Sequence, residues 1–179
     1  MKKILTERFF RRDTRKVAGG LLGKFIVRRV GGHTYVLMIT ETEAYDGFRD
    51  KASHARRGLT ERNKPMFGEA GHWYVYFTYG MHWMLNVVTG ERGYPAAVLI
   101  RAGRYNKNGK PVLVNGPARL TKFMKIDKRL NALPVSVKTG LWLEDGGVKI
   151  SKKEIKKGPR VGVDSAGPVW AKKHYRFYL

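Results

Sequence analysis

The sequence predicts an α+β fold: a single mixed domain over residues 1–179, with a dominant antiparallel curved sheet, short flanking helices and one projecting β-hairpin. Three observations predict it. Segments rich in β-branched and aromatic residues recur along the chain, glycine turns separate them, and only two segments carry a helix start signal. No internal repeat or low-complexity tract interrupts the pattern.

Taken in order, Asp13 to Leu22 predicts a short helix with Asp13 as its N-cap and Gly23 as terminator, weakened by Gly19 and Gly20. A strand is expected from Lys24 to Arg29, and Gly31-Gly32 turns the chain into a long strand from Thr34 to Tyr45. Trp73 to Tyr79 and Trp83 to Val88 read as a hairpin whose tip lies near Tyr79-Gly80-Met81. Ala96 to Arg101 is a further apolar strand. Asn115-Gly116-Pro117 starts a second helix, with Pro in the first turn and Leu120, Phe123 and Met124 facing the core. Gly103 to Gly116 and Gly146 to Arg160 are expected to be surface loops. Short β-like pieces are expected at Gly140 to Glu144, Val148 to Ser151 and Arg176 to Leu179.

The net charge is +22, yet 42% of the residues are hydrophobic, which is too much apolar mass for a disordered basic tail. A folded protein with a basic surface fits a polyanionic partner, nucleic acid before anionic membrane, because no basic amphipathic helix stands out. No apolar run approaches the roughly 20 residues that span a bilayer, and Glu7 and Arg8 interrupt any signal-like core, so an intracellular location is expected. Cysteine is absent, which excludes disulfides, thiolate metal sites and cysteine nucleophiles. The histidines lack HxH or HExxH spacing, so neither a metal nor a cofactor is expected.

Two clusters carry candidate chemistry. Glu41, Glu43, Asp46 and Asp50 fall in one ten-residue window of a chain that otherwise avoids negative charge. On a strand Glu41, Glu43 and Tyr45 share a face. One carboxylate there serves as a general base in a basic cleft, or the group is a solvated strand end neutralised by Arg49, Lys51 and Arg56; spacing alone leaves both open. The second cluster is aromatic: Trp73, Tyr74, Tyr76, Phe77, Tyr79 and Trp83 lie within eleven residues. One face of that hairpin can be core and the other a base-stacking platform, with Trp73 and Phe77 suited to cross-strand packing and Tyr79 to exposure beside the turn. Arg101, where an apolar strand leaves the core, is placed either to pair with a buried carboxylate or to grip a phosphate. The run from Lys152 to Lys157 reads as a solvated face or phosphate contact.

These residues together resemble the alkyladenine (3-methyladenine) DNA glycosylase family. The matching text is Glu41-Thr-Glu-Ala-Tyr45, Ala52-Ser-His54, Thr60-Glu-Arg-Asn63 with Met66-Phe67, Tyr74-Val-Tyr-Phe-Thr-Tyr-Gly80, Asn86, Leu99-Ile-Arg101, Asn115-Gly-Pro117, Gly158-Pro-Arg-Val-Gly162 and Arg176-Phe177. The resemblance implies a monofunctional enzyme whose hairpin enters the DNA minor groove and flips a damaged purine into a pocket. It implies Glu43 as the base that activates water and Arg101 as the group that holds that water or a phosphate. Tyr76 would stack on the flipped base, with Tyr45 and His54 as the opposite wall and Asn86 at the border rejecting guanine. Tyr79 would fill the gap left in the duplex, and a monomer acting on double-stranded DNA is expected.

Two other classes fit the composition. A non-catalytic nucleic-acid binder explains the charge and the rings without needing Glu43, and a metal-dependent nuclease would use the four carboxylates on Mg²⁺. A helix-hairpin-helix glycosylase, hinted at by Val161-Gly-Val-Asp-Ser-Ala166, fails because no aspartate follows Asp164.

Overall fold

The structure, a computed structural model, describes residues 2–179. Among these residues ten strands join in one antiparallel sheet that curls into a half-barrel, accompanied by four short helices. The helix α1 (Glu7–Phe10) leads into α2 (Thr14–Leu21). Asp13 caps α2 by accepting from the N–H groups of Arg15 and Lys16, at 3.1 and 3.0 Å. Gly23, at φ +78°, lets the chain leave α2 for the sheet.

The sheet runs β1 (Lys3–Ile4), β8 (Leu141–Asp145), β2 (Phe25–Val30), β3 (His33–Asp46), β6 (Ala96–Lys107), β5 (His82–Val88), β4 (Trp73–Thr78). β7 (Lys110–Asn115) pairs with β6, and β10 (Arg176–Tyr178) links β3 to β9 (Lys156–Gly158). The longest strand, β3, alternates its side chains between two environments. Thr42 and Ala44 turn inward to α2, where the Thr42 hydroxyl donates to the Ala18 carbonyl at 2.9 Å, while Glu41, Glu43 and Tyr45 take the other face. The main core packs Val17, Ala18 and Leu21 of α2 and Leu120 and Met124, in and just past α3 (Pro117–Phe123), against that inner face. A smaller cluster of Ala55, Met66, Tyr74, Val88 and Ala97 lies under the hairpin β4–β5.

One irregularity in this sheet serves the site. The β3–β6 register shifts twice, around Thr40 on β3 and Arg101 on β6, so Arg101 occupies a bulge opposite Glu41 and Thr42. A bulge re-aims a side chain out of the strand's alternation.

Two expectations are corrected. Gly103 to Gly116 is not a loop: β6 continues to Lys107 and returns as β7 through Asn108 and Gly109, at φ +53° and +81°, the left-handed pair that a two-residue hairpin turn requires. Val148 to Ser151 forms no strand, because Ile150 packs against Gly23 instead, and the pairing with β10 is made by Lys156–Gly158. The helix from Asp13, the strands β2, β3 and β8, and the hairpin tip at Tyr79-Gly80-Met81 lie where the sequence places them. Neither α1 nor α4 (Pro168–Ala171) was expected; four-residue helices leave little periodicity to read.

Candidate active site

A cavity of about 330 Å³ opens on the face of the sheet that carries Glu41, Glu43 and Tyr45. Tyr45, His54, Tyr76, Tyr79, Asn86 and Arg101 all line it, although they come from four separate segments. Glu43 lies behind this lining, with its side chain fully shielded from solvent. Each group bonded to its oxygens lines the cavity. The Val161 N–H donates to Oε1 at 2.8 Å, the Tyr45 hydroxyl donates to Oε2 at 2.9 Å, and an Arg101 guanidinium nitrogen lies 3.3 Å from Oε2.

Burial pushes the Glu43 carboxyl above its ordinary value; Arg101, the Val161 N–H and the Tyr45 hydroxyl pull against that shift without reversing it. Burial, followed by the adjacent Glu43 charge, raises the Tyr45 phenol well above its usual value, so it remains a donor at neutral pH. Arg101 donates through Nε to Glu41 at 2.8 Å, and Arg176 of β10 approaches the same Glu41 oxygen at 3.8 Å. Arg101 therefore bridges two carboxylates, which favours the first of its two sequence alternatives.

The acidic cluster is not a solvated strand end neutralised by Arg49, Lys51 and Arg56. Its partners are Arg101 for Glu41 and Glu43, Arg160 for Asp50, and Thr14, Tyr94 and Arg15 for Asp46. Glu41 and Glu43 thus share one arginine, while Asp46 and Asp50 have partners of their own, so the four are not gathered about one point.

The aromatic wall is built by β4 and the turn at His54–Arg57, so His54 stands with Tyr74 and Tyr76 and not, as expected, beside Tyr45 on the wall opposite Tyr76. Tyr74 and Tyr76 share a face of β4, with ring centroids 5.1 Å apart, and the His54 ring meets Tyr76 edge-on at 4.7 Å. His54 Nδ1 lies 2.9 Å from the Tyr74 hydroxyl, which burial holds protonated. Although its outer edge is exposed, burial of the rest of the ring and then the Arg62 charge shift His54 downward, to a neutral imidazole at pH 7. Burial raises the Tyr76 phenol to about 12. Asn86 is buried and donates to the Tyr74 carbonyl at 3.1 Å.

The other face of the hairpin divides. Trp73 is wholly buried and donates to the Leu141 carbonyl, whereas Phe77 stacks on Trp83 at 4.6 Å but remains exposed. At the tip Tyr79 is 81% exposed with φ +52°, and Met81 is 67% exposed, so two large apolar side chains project into solvent. Arg62 braces the hairpin, donating to the Phe77 carbonyl at 3.0 Å with its guanidinium 5.1 Å from the Tyr76 ring. Arg49, Lys51, Arg56, Arg57, Arg62 and Lys64, in the segment on either side of the turn that carries His54, are exposed.

A model of the methylpurine-DNA glycosylase family matches residues 8–179. The chain belongs to this family. The matched span takes in every motif that carried the resemblance, from Glu41 to Phe177. A 3-methyladenine DNA glycosylase homologue from Methanocella arvoryzae is 43% identical over 98% of this chain and 92% of its own length. The DNA-3-methyladenine glycosylase of Arabidopsis thaliana is 40% identical over 98% of this chain and 71% of its own. The protein is a DNA repair glycosylase, a hydrolase of N-glycosyl bonds in DNA. Among the described residues of this glycosylase no helix is long and apolar enough to cross a membrane.

Sequence reasoning missed two contributors to the site. The Val161 N–H is a main-chain donor, and no side-chain type announces such a group. The Asp50–Arg160 pair joins positions 110 residues apart, a distance that no local pattern spans.

Proposed function

We propose that this glycosylase acts as a monomer on alkylated or deaminated purines in duplex DNA, flipping the damaged nucleotide into the cavity and leaving an abasic site. The observation that carries this reading is the Glu43 carboxylate, buried directly behind an aromatic-lined cavity and held by two hydrogen-bond donors and the Arg101 guanidinium. A carboxylate has about four lone-pair positions. The Val161 N–H and the Tyr45 hydroxyl engage two of them, which leaves room to take a proton from water.

In this reading a water held between Glu43 and Arg101 attacks the anomeric carbon of the flipped nucleotide. Its proton passes to Glu43, the new C–O bond forms as the C–N bond breaks, and the electron pair of that bond leaves on the purine. A cationic purine such as 3-methyladenine leaves neutral. A neutral purine must gain a proton as it leaves. Tyr45 and Tyr76 stack on the two faces of the base, where a cationic ring gains about 0.5–2 kcal/mol from the electron-rich rings. His54, neutral, offers a ring nitrogen at the base edge, and Asn86 borders the pocket against guanine. Tyr79 enters the duplex in place of the flipped base, and its exposed ring at the hairpin tip supports that role.

Release of free purine from dimethyl-sulfate-treated duplex DNA in chelator, followed by alkali cleavage, tests the reading. Free base with alkali-dependent nicks is the expected result. Trapping of a protein–DNA adduct by borohydride would replace water with an amine nucleophile and overturn it.

A further inference from the structure

The most thoroughly buried ion pair in the molecule lies outside the cavity. Asp50 and Arg160 are both fully shielded, and Arg160 meets both Asp50 oxygens, one of them at 2.8 Å. Burying two charges is costly, and one that serves only stability is often replaceable by packed apolar residues. What this pair touches suggests a further role. Asp50 also accepts from the N–H of Asp46, at the end of β3, at 3.1 Å, and from the N–H of Ala52 at 3.0 Å, at the start of the cavity wall that carries His54. Arg160 donates to the Ala44 carbonyl at 2.8 Å, between Glu43 and Tyr45, and its guanidinium lies 4.8 Å from the Tyr45 ring. The next residue is Val161, whose N–H holds Glu43 and which, with Gly162 and Val163, forms the facing wall.

We infer that Arg160, locked by Asp50, is a positioning residue that sets the Val161 N–H on Glu43 and fixes the two cavity walls about it. The inference rests on Glu43 being the general base. A guanidinium alone among cationic side chains can meet both oxygens of Asp50 and the Ala44 carbonyl together; a lysine ammonium is a point charge without that planar fork. With lysine at 160, the loop bearing Val161 loses its anchor and Glu43 loses a donor that favours its charged form.

The groups facing Glu43 are Tyr45 and Glu41 on β3, Arg101 on β6, Arg176 on β10, Tyr76 on β4 and the Arg160–Val161 loop. Arg160→Lys acts on the last of these and, through the ring it covers, on Tyr45, while the positive charge at 160 is kept. Single-turnover release from methylated duplex is expected to fall by at least about tenfold, as small misplacements of a reacting group can cost up to about a hundredfold. The acid limb of its pH–rate profile moves to higher pH, and affinity for the duplex stays within about threefold, because no DNA-facing cation is removed. Asp50→Glu, which retains both charges but displaces the carboxylate, gives the same displacement of the acid limb and serves if Arg160→Lys does not fold. In the parent protein the Val161 amide exchanges with solvent as slowly as the amides of β3.

An unshifted acid limb in the folded variants, or rapid exchange at Val161, overturns the inference. The parallel Glu43→Gln protein separates the two ideas: if it retains the parent rate, the reading of Glu43 fails, whereas its inactivity beside an unshifted Arg160→Lys profile sinks only the role given to Arg160.

Discussion

The Val161 N–H and the Glu43 carboxylate meet at 2.8 Å across 118 positions of sequence, closing the C-terminal segment onto the longest strand of the sheet. That contact supports the ionised form of Glu43, but burial outweighs it and leaves the carboxyl above its ordinary value. Base release requires ionised Glu43 in this account, so the rate falls as pH drops through that raised value. A pH profile of single-turnover release is expected to show an acid limb above the usual carboxylate range. Full activity well below that range would contradict the ionisation state assigned.

The same shift has a consequence for stability. A carboxyl whose folded value is raised stabilises the fold below its unfolded value and loses that contribution as pH rises through the folded one. Ionised Glu43 at high pH therefore stabilises the fold less than the protonated carboxyl does at low pH. Glu43→Gln is expected to melt no lower than the parent at pH 7, and a large drop in Tm would show that the ionised carboxylate holds the sheet together.

His54 is shifted below the ordinary imidazole value by burial and then by the Arg62 charge, which favours the neutral ring at pH 7. Nitrogen-15 NMR of the imidazole should show an uncharged ring at pH 7. A doubly protonated ring there would contradict its placement against Tyr74 and Tyr76.

Tyr79 is 81% exposed and so contributes little to the fold; as the proposed wedge its contribution is contact with DNA. Tyr79→Ala should change stability by no more than about 0.5 kcal/mol. It should weaken binding to a lesion-bearing duplex and slow release from duplex more than from single-stranded DNA, where nothing needs to be wedged open. Equal effects on both substrates would remove the wedge from the account.

If the exposed cations flanking the turn at His54–Arg57 meet DNA phosphates, binding has a salt dependence. Log affinity should fall against log salt with a slope of about 0.9 per phosphate neutralised, and replacing both Arg56 and Arg57 by alanine should lower the slope by up to about two. A titration by fluorescence anisotropy reads this directly. An unchanged slope would move the DNA backbone away from the turn at His54–Arg57.

Much of this was legible in the sequence, for identifiable reasons. β3 and the β4–β5 hairpin carry strong period-two and aromatic signals, and Asp13 announces its helix by a cap that the fold uses. The acidic window pointed to the site, but periodicity could not choose among its members; Asp50 is equally buried, and what separates Glu43 is that each of its partners lines the cavity. The β6–β7 hairpin was hidden because Leu113 is exposed between half-buried Val112 and Val114, so the alternation of apolar and polar residues that marks a half-buried strand is lost there. Phe77 was expected to pack, and it does, on Trp83; at the sheet edge β4 has no further neighbour to cover it. Long-range partners such as Asp50 with Arg160, and donors that are main-chain N–H groups, leave no mark in local sequence.

The central claim is that Glu43 activates the water that releases the damaged purine, and its most direct test is single-turnover base release by the Glu43→Gln protein beside its affinity for the same methylated duplex. The account predicts a loss of about 10²–10⁴-fold in release with binding retained, the range in which a positioned general base contributes. Release at the parent rate by Glu43→Gln would contradict it.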